Sequence, residues 1–254
     1  MSFTLEGFLL LFSRLSGLFL SAPILSSRMM PVRVKVLTIV ALAAMMAYFV
    51  PINYVRKITN PGYFVAALVV EILIGYALGF VAYIIFAAIQ LAGQIMDMQM
   101  GFGIVNVVDP QSGMQIPMMG NLIQTIALLL YLAIDGHHYL LQALAQSYEL
   151  IPVLGLNLDG NVIELLIRLS VYMFVIAVKI SAPVVFAIMT ADIAMGFVGR
   201  TVPQMNVFIV GLPLKILVGL GALLMMMPVY IWVFKILFEE FFTYIDQIIR
   251  IMGV

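Results

Sequence analysis

GQIMDMQMGFGIVNVVDPQSGMQIPMMGN, residues 93 to 121, decides how the rest of this chain is read. It opens inside a long apolar segment and passes a glycine-rich turn, Gly101-Phe102-Gly103. It then crosses a Pro/Ser/Gly loop and re-enters apolar sequence after Pro117. Methionine stands at 96, 98, 100, 114, 118 and 119, and the only charges are Asp97 and Asp109. Hydrocarbon cannot satisfy an irregular backbone, so a loop between apolar segments must be buried in protein or line a cavity. The stretch predicts a loop that closes a pore.

Composition sets the surroundings of that loop. Of 254 residues, 65% are hydrophobic and 9% charged, where soluble domains carry about 25% charged residues. A mean hydropathy of +1.18 with repeated apolar runs predicts a polytopic membrane protein. Net charge is zero, which gives no support to a nucleic-acid partner. The absence of cysteine excludes disulfides, thiolate metal sites and a cysteine nucleophile. Glu6 and the lack of a basic residue before Phe12 point to a retained first helix, not a cleaved signal.

The apolar runs are about 17 to 29 residues long and do not alternate with period two, which predicts helices and not a barrel. A first helix is expected over 8–25, with Ser13, Gly17 and Ser21 four apart on one face. A connection with Arg28, Arg33 and Lys35 leads to a second, 36–50, which stops at Pro51. After Arg56, Lys57 and Pro61 comes a third, 63–96. Thirty residues of helix rise about 45 Å, more than roughly 30 Å of hydrocarbon, so it must tilt, bend or leave the membrane. Gly75 and Gly79 form a GxxxG pair that admits another helix backbone. Glu71, one turn earlier on the same face, should meet protein and not lipid.

A fourth helix is expected from 117 or 118 to 134. An amphipathic piece ends near Tyr148, and a fifth helix covers 162–189 with a kink at Pro183. A second irregular stretch is expected over 191–215. A last helix, 212–238, bends at Pro228 before an amphipathic tail. The fold class is therefore an all-α membrane protein of about six long, kinked hydrophobic helices with two irregular re-entrant stretches. Loop charges give only a weak topology signal. Mid-helix charges at Arg14, Glu71, Lys179, Asp192 and Lys235 are too many for helices bathed in lipid. They predict a subunit wrapped by other protein.

The loop after Gly103 has a plain reading, a packed connection turned by Pro and Gly, and a functional one, a plug. Asp109-Pro110 and Ser112-Gly113 are turn formers. Ile104, Val105, Val107, Val108 and Met114 make an apolar surface where loops are normally polar. Methionine is flexible and polarizable enough to seal around varied partners and still yield. An ion filter would need fixed carbonyls or charges.

The second stretch holds Asp192, Arg200, Pro203, Gln204, Asn206, Gly211, Pro213 and Lys215. Its plain reading is a re-entrant turn whose side-chain amides satisfy broken helical backbone. Asp192 and Arg200, eight apart, could pair only through long side-chain reach or a helix break. A proton relay through Asp192 or Glu71 lacks a second acidic site at matching spacing. In Asp135-Gly136-His137-His138, adjacent histidines should diverge on a helix, so no metal site is expected. Met225 to Met227 reads as core packing. No Walker loop, Gly-x-Ser-x-Gly or HExxH occurs, so neither catalysis nor a cofactor is expected.

Three motifs resemble the FliR/SctT family of type III secretion export-gate proteins: GQIMDMQMGFG (93–103), DPQSG (109–113) and PQMNVFIVGLPLK (203–215). The last is the most specific, and the resemblance covers nearly the whole chain, with the flagellar branch the closer match. It implies a FliP-like part, 1–150, with a plug loop at about 104–117, then a FliQ-like helical hairpin part, 151–254. It implies FliP and FliQ as partners in a pore-forming complex, with FlhB and FlhA nearby and unfolded flagellar substrates passing through. Export energy would come from an associated ATPase and the proton-motive force, neither residing in this chain. The place implied is the bacterial inner membrane, at the flagellar basal body. Carried onto this sequence, the plug is Val107, Val108, Asp109, Pro110, Gln111, Ser112, Gly113, Met114 and Pro117, with Ser112, Gly113 and Met114 nearest its tip.

A second hypothesis is a self-contained secondary transporter coupling ions through Glu71 and Asp192. That requires inverted repeats with paired broken helices. Here the two irregular stretches differ in kind, one Met/Gly-rich and one amide/Pro-rich.

Overall fold

A computed structural model of the chain describes residues 5–26, 30–49, 61–103, 117–152, 155–156, 160–202, 204 and 206–253. These residues form helices only: α1 (Leu5–Ser21), α2 (Val32–Phe49), α3 (Pro61–Met100), α4 (Met118–Ala133), α5 (Gly136–Leu150), α6 (Gly160–Thr201) and α7 (Val207–Met252). Three of them, α3, α6 and α7, are long and apolar enough to cross a membrane, or four spans if the broken pair α4–α5 counts as one. The architecture is all-α, and the chain is an integral membrane protein.

The elements fall where the apolar runs place them, but several end elsewhere. The 191–215 stretch is not irregular throughout. It is helical to Thr201 and again from Val207, so the break is confined to a few residues around Gln204. Asn206 starts α7 with its main-chain carbonyl, which accepts from the amides of Ile209 (3.1 Å) and Val210 (3.4 Å). Pro183, Pro213 and Pro228 all lie inside continuous helices. Each costs one backbone bond, and the helices continue through all three. The tail beyond 238 belongs to α7. Its buried Phe241, Ile245, Ile248, Ile249 and Met252 recur at three- and four-residue steps, the stripe of a helix packed on one side.

The chain divides into two compact units, one of Met1–Ile85, Leu132–Ser170 and Phe238–Val254, the other of Phe86–Tyr131 and Val171–Leu237. In the first unit α1 lies against α3 at backbone contact. A Cβ on Gly75 would run into the Arg14 carbonyl oxygen and sit 2.9 Å from the Leu18 amide nitrogen. One on Gly79 would fall 2.7 Å from the Ala22 nitrogen, and one on Gly17 would be 2.8 Å from the Tyr76 nitrogen. The small faces of the two helices therefore interlock, and the helix that approaches the GxxxG pair is the chain's own α1. The Ser21 hydroxyl donates across the seam to the Tyr76 carbonyl at 2.9 Å. In the second unit Phe86 meets Tyr131 edge-on at 5.5 Å, and the Tyr230 hydroxyl donates to the Ile180 carbonyl at 3.0 Å.

Candidate functional site

The second unit contains the end of α3 and the start of α4, the two stems of the loop between them. α3 ends in a Schellman motif: the Gly101 amide bonds the Met98 carbonyl (3.3 Å) and the Phe102 amide the Asp97 carbonyl (3.1 Å). Gly101 carries φ 88°, a conformation that only glycine adopts without strain. Asp97, 6% exposed, also works through its side chain. One carboxylate oxygen accepts from the Met119 amide at 3.0 Å and the other from the Gly120 amide at 3.2 Å. These are first-turn donors of α4 that no intrahelical carbonyl can satisfy, and the carboxylate also meets the positive end of the helix dipole. One residue thus ends α3 with its carbonyl and starts α4 with its carboxylate.

Glycines allow that contact. A Cβ on Gly93, one turn before Asp97, would stand 2.5 Å from the Gly120 nitrogen and 2.9 Å from the Met119 carbonyl carbon. Pro117, half-buried, accepts from the Asn121 amide at 2.9 Å. Val107, Val108, Asp109, Pro110, Gln111, Ser112, Gly113 and Met114 lie outside the described residues, as does Pro203. The turn residues Phe102 and Gly103 are half-buried and exposed respectively.

The two motif stretches meet in this unit. A cavity of about 530 Å³ is lined by Met98, Gly101 and Gly103 from one and by Asp192, Met195, Gly211 and Lys215 from the other. Asp192 pairs with Lys215 at 2.7 Å, both partly exposed, and not with Arg200, which is exposed. Gln204, Asn206 and Pro213 are exposed as well, while Gly211 is buried. Met100, fully buried, packs on Gly219, where a Cβ would come within 2.9 Å of its Cγ.

Glu71 lies in the first unit. It binds Arg14 through two contacts, Nε to Oε2 at 2.5 Å and Nη2 to Oε1 at 3.1 Å, with both side chains fully buried. Arg14 also donates to Ser147 Oγ (3.0 Å) and the Ile151 carbonyl (3.1 Å), and its guanidinium lies 4.0 Å from the Tyr148 ring centroid. A buried charge needs this degree of satisfaction, and the cluster ties α1, α3 and the end of α5 together. Near the start of α5 the His137 and His138 rings approach to 4.1 Å between centroids, so adjacent histidines do not diverge as expected. Asp135, His137 and His138 bring their ligand atoms together, but Asp135 and His138 are mostly exposed.

Sequence reasoning missed Arg14 as the partner of Glu71, Gly17 as the mate of Gly75, and Asp97 as a cap. The Gly93/Asp97 spacing of four, one small residue and one acceptor on a single face, was the available signal for the last.

Long apolar helices, an internal charge cluster, and two motif stretches meeting around a cavity define an integral membrane protein with polar groups held inside it. The chain matches the family described as bacterial export proteins, family 1, over residues 5–241. It is 37% identical to the flagellar biosynthetic protein FliR of Bacillus subtilis (strain 168) over 254 residues, 98% of this chain and 96% of that protein. Against FliR of Escherichia coli (strain K12) the identity is 32% over 236 residues, covering 93% and 90%. Against FliR of Aquifex aeolicus (strain VF5) it is 27% over 243 residues, covering 95% and 93%. The chain belongs to the FliR family of bacterial export proteins.

Proposed function

We propose that this chain is a non-catalytic structural and gating subunit of the flagellar type III protein-export channel in the bacterial inner membrane. It forms the pore with FliP and FliQ, near FlhA and FlhB, and unfolded flagellar substrates pass through. Within it, 1–150 is the FliP-like part and 151–254 the FliQ-like hairpin part. The segment from Val107 to Pro117 is the plug, with Ser112, Gly113 and Met114 nearest its tip.

The observation that carries this reading is the Asp97 clamp. A closure loop is useful only if its stems hold still while its tip yields, and Asp97 fixes the helix before the loop to the helix after it. Family membership and the flagellar names of the relatives supply the transport context. The transporter alternative needs free carboxylates in Glu71 and Asp192, and both are engaged in ion pairs.

Purification from native membranes tests the assignment. The chain is expected in one large complex with two other small membrane proteins. A functional monomer or homodimer in lipid would overturn it.

A further inference from the structure

The chain holds two histidines, His137 and His138, and the export reading uses neither. Both stand in the first turn of α5, just after Asp135, and all three residues belong to the first compact unit. Adjacent helix positions point about 100° apart, yet the two rings lie 4.1 Å apart between centroids, with planes tilted by 35°. One nitrogen of each ring and one Asp135 oxygen fall within 4.8 Å of one another. Asp135 sits in the left-handed region, φ 57° and ψ 28°, and as the N-cap of α5 its carboxylate makes no bond to the helix amides. It turns instead to His138, whose Nδ1 is 3.2 Å from Oδ1.

This arrangement suits a divalent transition ion. Ligands about 2.0 to 2.2 Å from a tetrahedral ion stand roughly 3.3 to 3.5 Å apart, a spacing that Asp135 Oδ1 and His138 Nδ1 nearly match at 3.2 Å. His137 adds an unmet demand, because its Nδ1 is buried with no hydrogen-bonding partner among the described residues. A buried polar atom left that way is costly and rare. In the tautomer that carries its proton on Nε2, this atom presents a free lone pair, which a metal ion takes up. Imidazole with carboxylate fits Zn2+, whereas Mg2+ and Ca2+ favour all-oxygen shells. The positive end of the α5 dipole opposes a cation, and the Asp135 carboxylate offsets it. The side chains of Asp135 and His138 are 73% and 70% exposed, so an ion reaches them from solution and water completes its shell.

We propose that Asp135, His137 and His138 form a three-ligand site for Zn2+, closing on the ion with water as its fourth ligand. The hydrogen bond between His138 Nδ1 and Asp135 Oδ1 gives way to two bonds to the metal, and any proton held between them passes to water. The ion's role is structural: it pins the first turn of α5 to the residue that precedes it. The site stands whether or not the chain conducts protein.

The test uses the full chain isolated from native membranes through a tag free of histidine, stripped with a chelator and titrated with Zn2+ alone by calorimetry. Wild type is expected to bind one Zn2+ per chain at least about tenfold more tightly than His137→Gln, His138→Gln or Asp135→Asn. Asparagine tolerates the left-handed backbone, and Asp135 and His138 are exposed, so two of the three changes should leave the fold intact, which circular dichroism checks. The unsubstituted chain gives a readout that no folding defect can touch. At about ten times its Kd, Zn2+ should slow diethyl pyrocarbonate modification of His137 and His138 about tenfold, read by mass spectrometry. Mg2+ at the same concentration should leave the rate as it is. Zn2+ binding that all three substitutions leave unchanged is an adventitious ion only and overturns the site. A His138 modification rate that Zn2+ does not alter overturns it as well, leaving Asp135 as no more than the hydrogen-bonding partner of His138.

Discussion

Arg14 and Glu71, 57 residues apart, form a two-point ion pair at 2.5 and 3.1 Å with neither side chain reaching solvent. The pair explains why two full charges are tolerated in an apolar chain: each is neutralised, and the spare guanidinium donors reach Ser147 and the Ile151 carbonyl. Removing one partner strands the other. Glu71→Leu or Arg14→Met alone should destabilise the chain by about 3 to 5 kcal/mol, and the double change should recover much of that loss. Thermal unfolding in detergent measures it. Equal losses in single and double variants would mean that the pair is not the source.

Gly75→Leu drives a side chain into the Arg14 carbonyl, a main-chain atom that cannot step aside. A cost of about 1 to 3 kcal/mol or more is expected, with α1 displaced and the Arg14 guanidinium drawn away from Glu71. Yield of folded chain and protease resistance of α1 report it. A fully stable Gly75→Leu variant would contradict the α1–α3 seam.

Asp97→Ala should release the first turn of α4, at about 1 to 2 kcal/mol for the lost charged cap. Asp97→Asn, which keeps an acceptor, should fall between. Hydrogen exchange at the Met119 and Gly120 amides is the direct readout. Unchanged protection in Asp97→Ala would mean that the carboxylate does not hold α4.

The Asp192–Lys215 pair is partly exposed on both sides, and screening limits such pairs to about 1 kcal/mol or less. Asp192→Asn should leave stability and complex formation nearly unaltered. If it instead abolished export in a fully assembled complex, Asp192 would be a functional carboxylate and the ion-coupled alternative would return.

Local chemistry was legible in the sequence wherever it was local. Apolar run length placed α3, α6 and α7, and the small-residue spacings of Ser13, Gly17 and Ser21 and of Gly75 and Gly79 marked both faces of the α1–α3 seam. Pairing across the chain was not legible. Nothing in the sequence separates Arg14 from Lys179 as the partner of Glu71, or Lys215 from Arg200 as the partner of Asp192. The break near Gln204 is shorter than expected, because Pro213 and Gly211 read as helix breakers while α7 runs on through both. The tail after Phe238 was detached from its helix for the opposite reason: polar residues on its outer face masked a continuous buried stripe through Met252.

Under the proposed function, the loop carried by the Asp97 clamp seals a protein-conducting channel. Deleting 109–113 from the chain in its native complex and measuring permeability of the membrane to small solutes tests it most directly. The expected result is a complex that assembles at normal yield and leaks. A complex that assembles and stays as tight as wild type would contradict it.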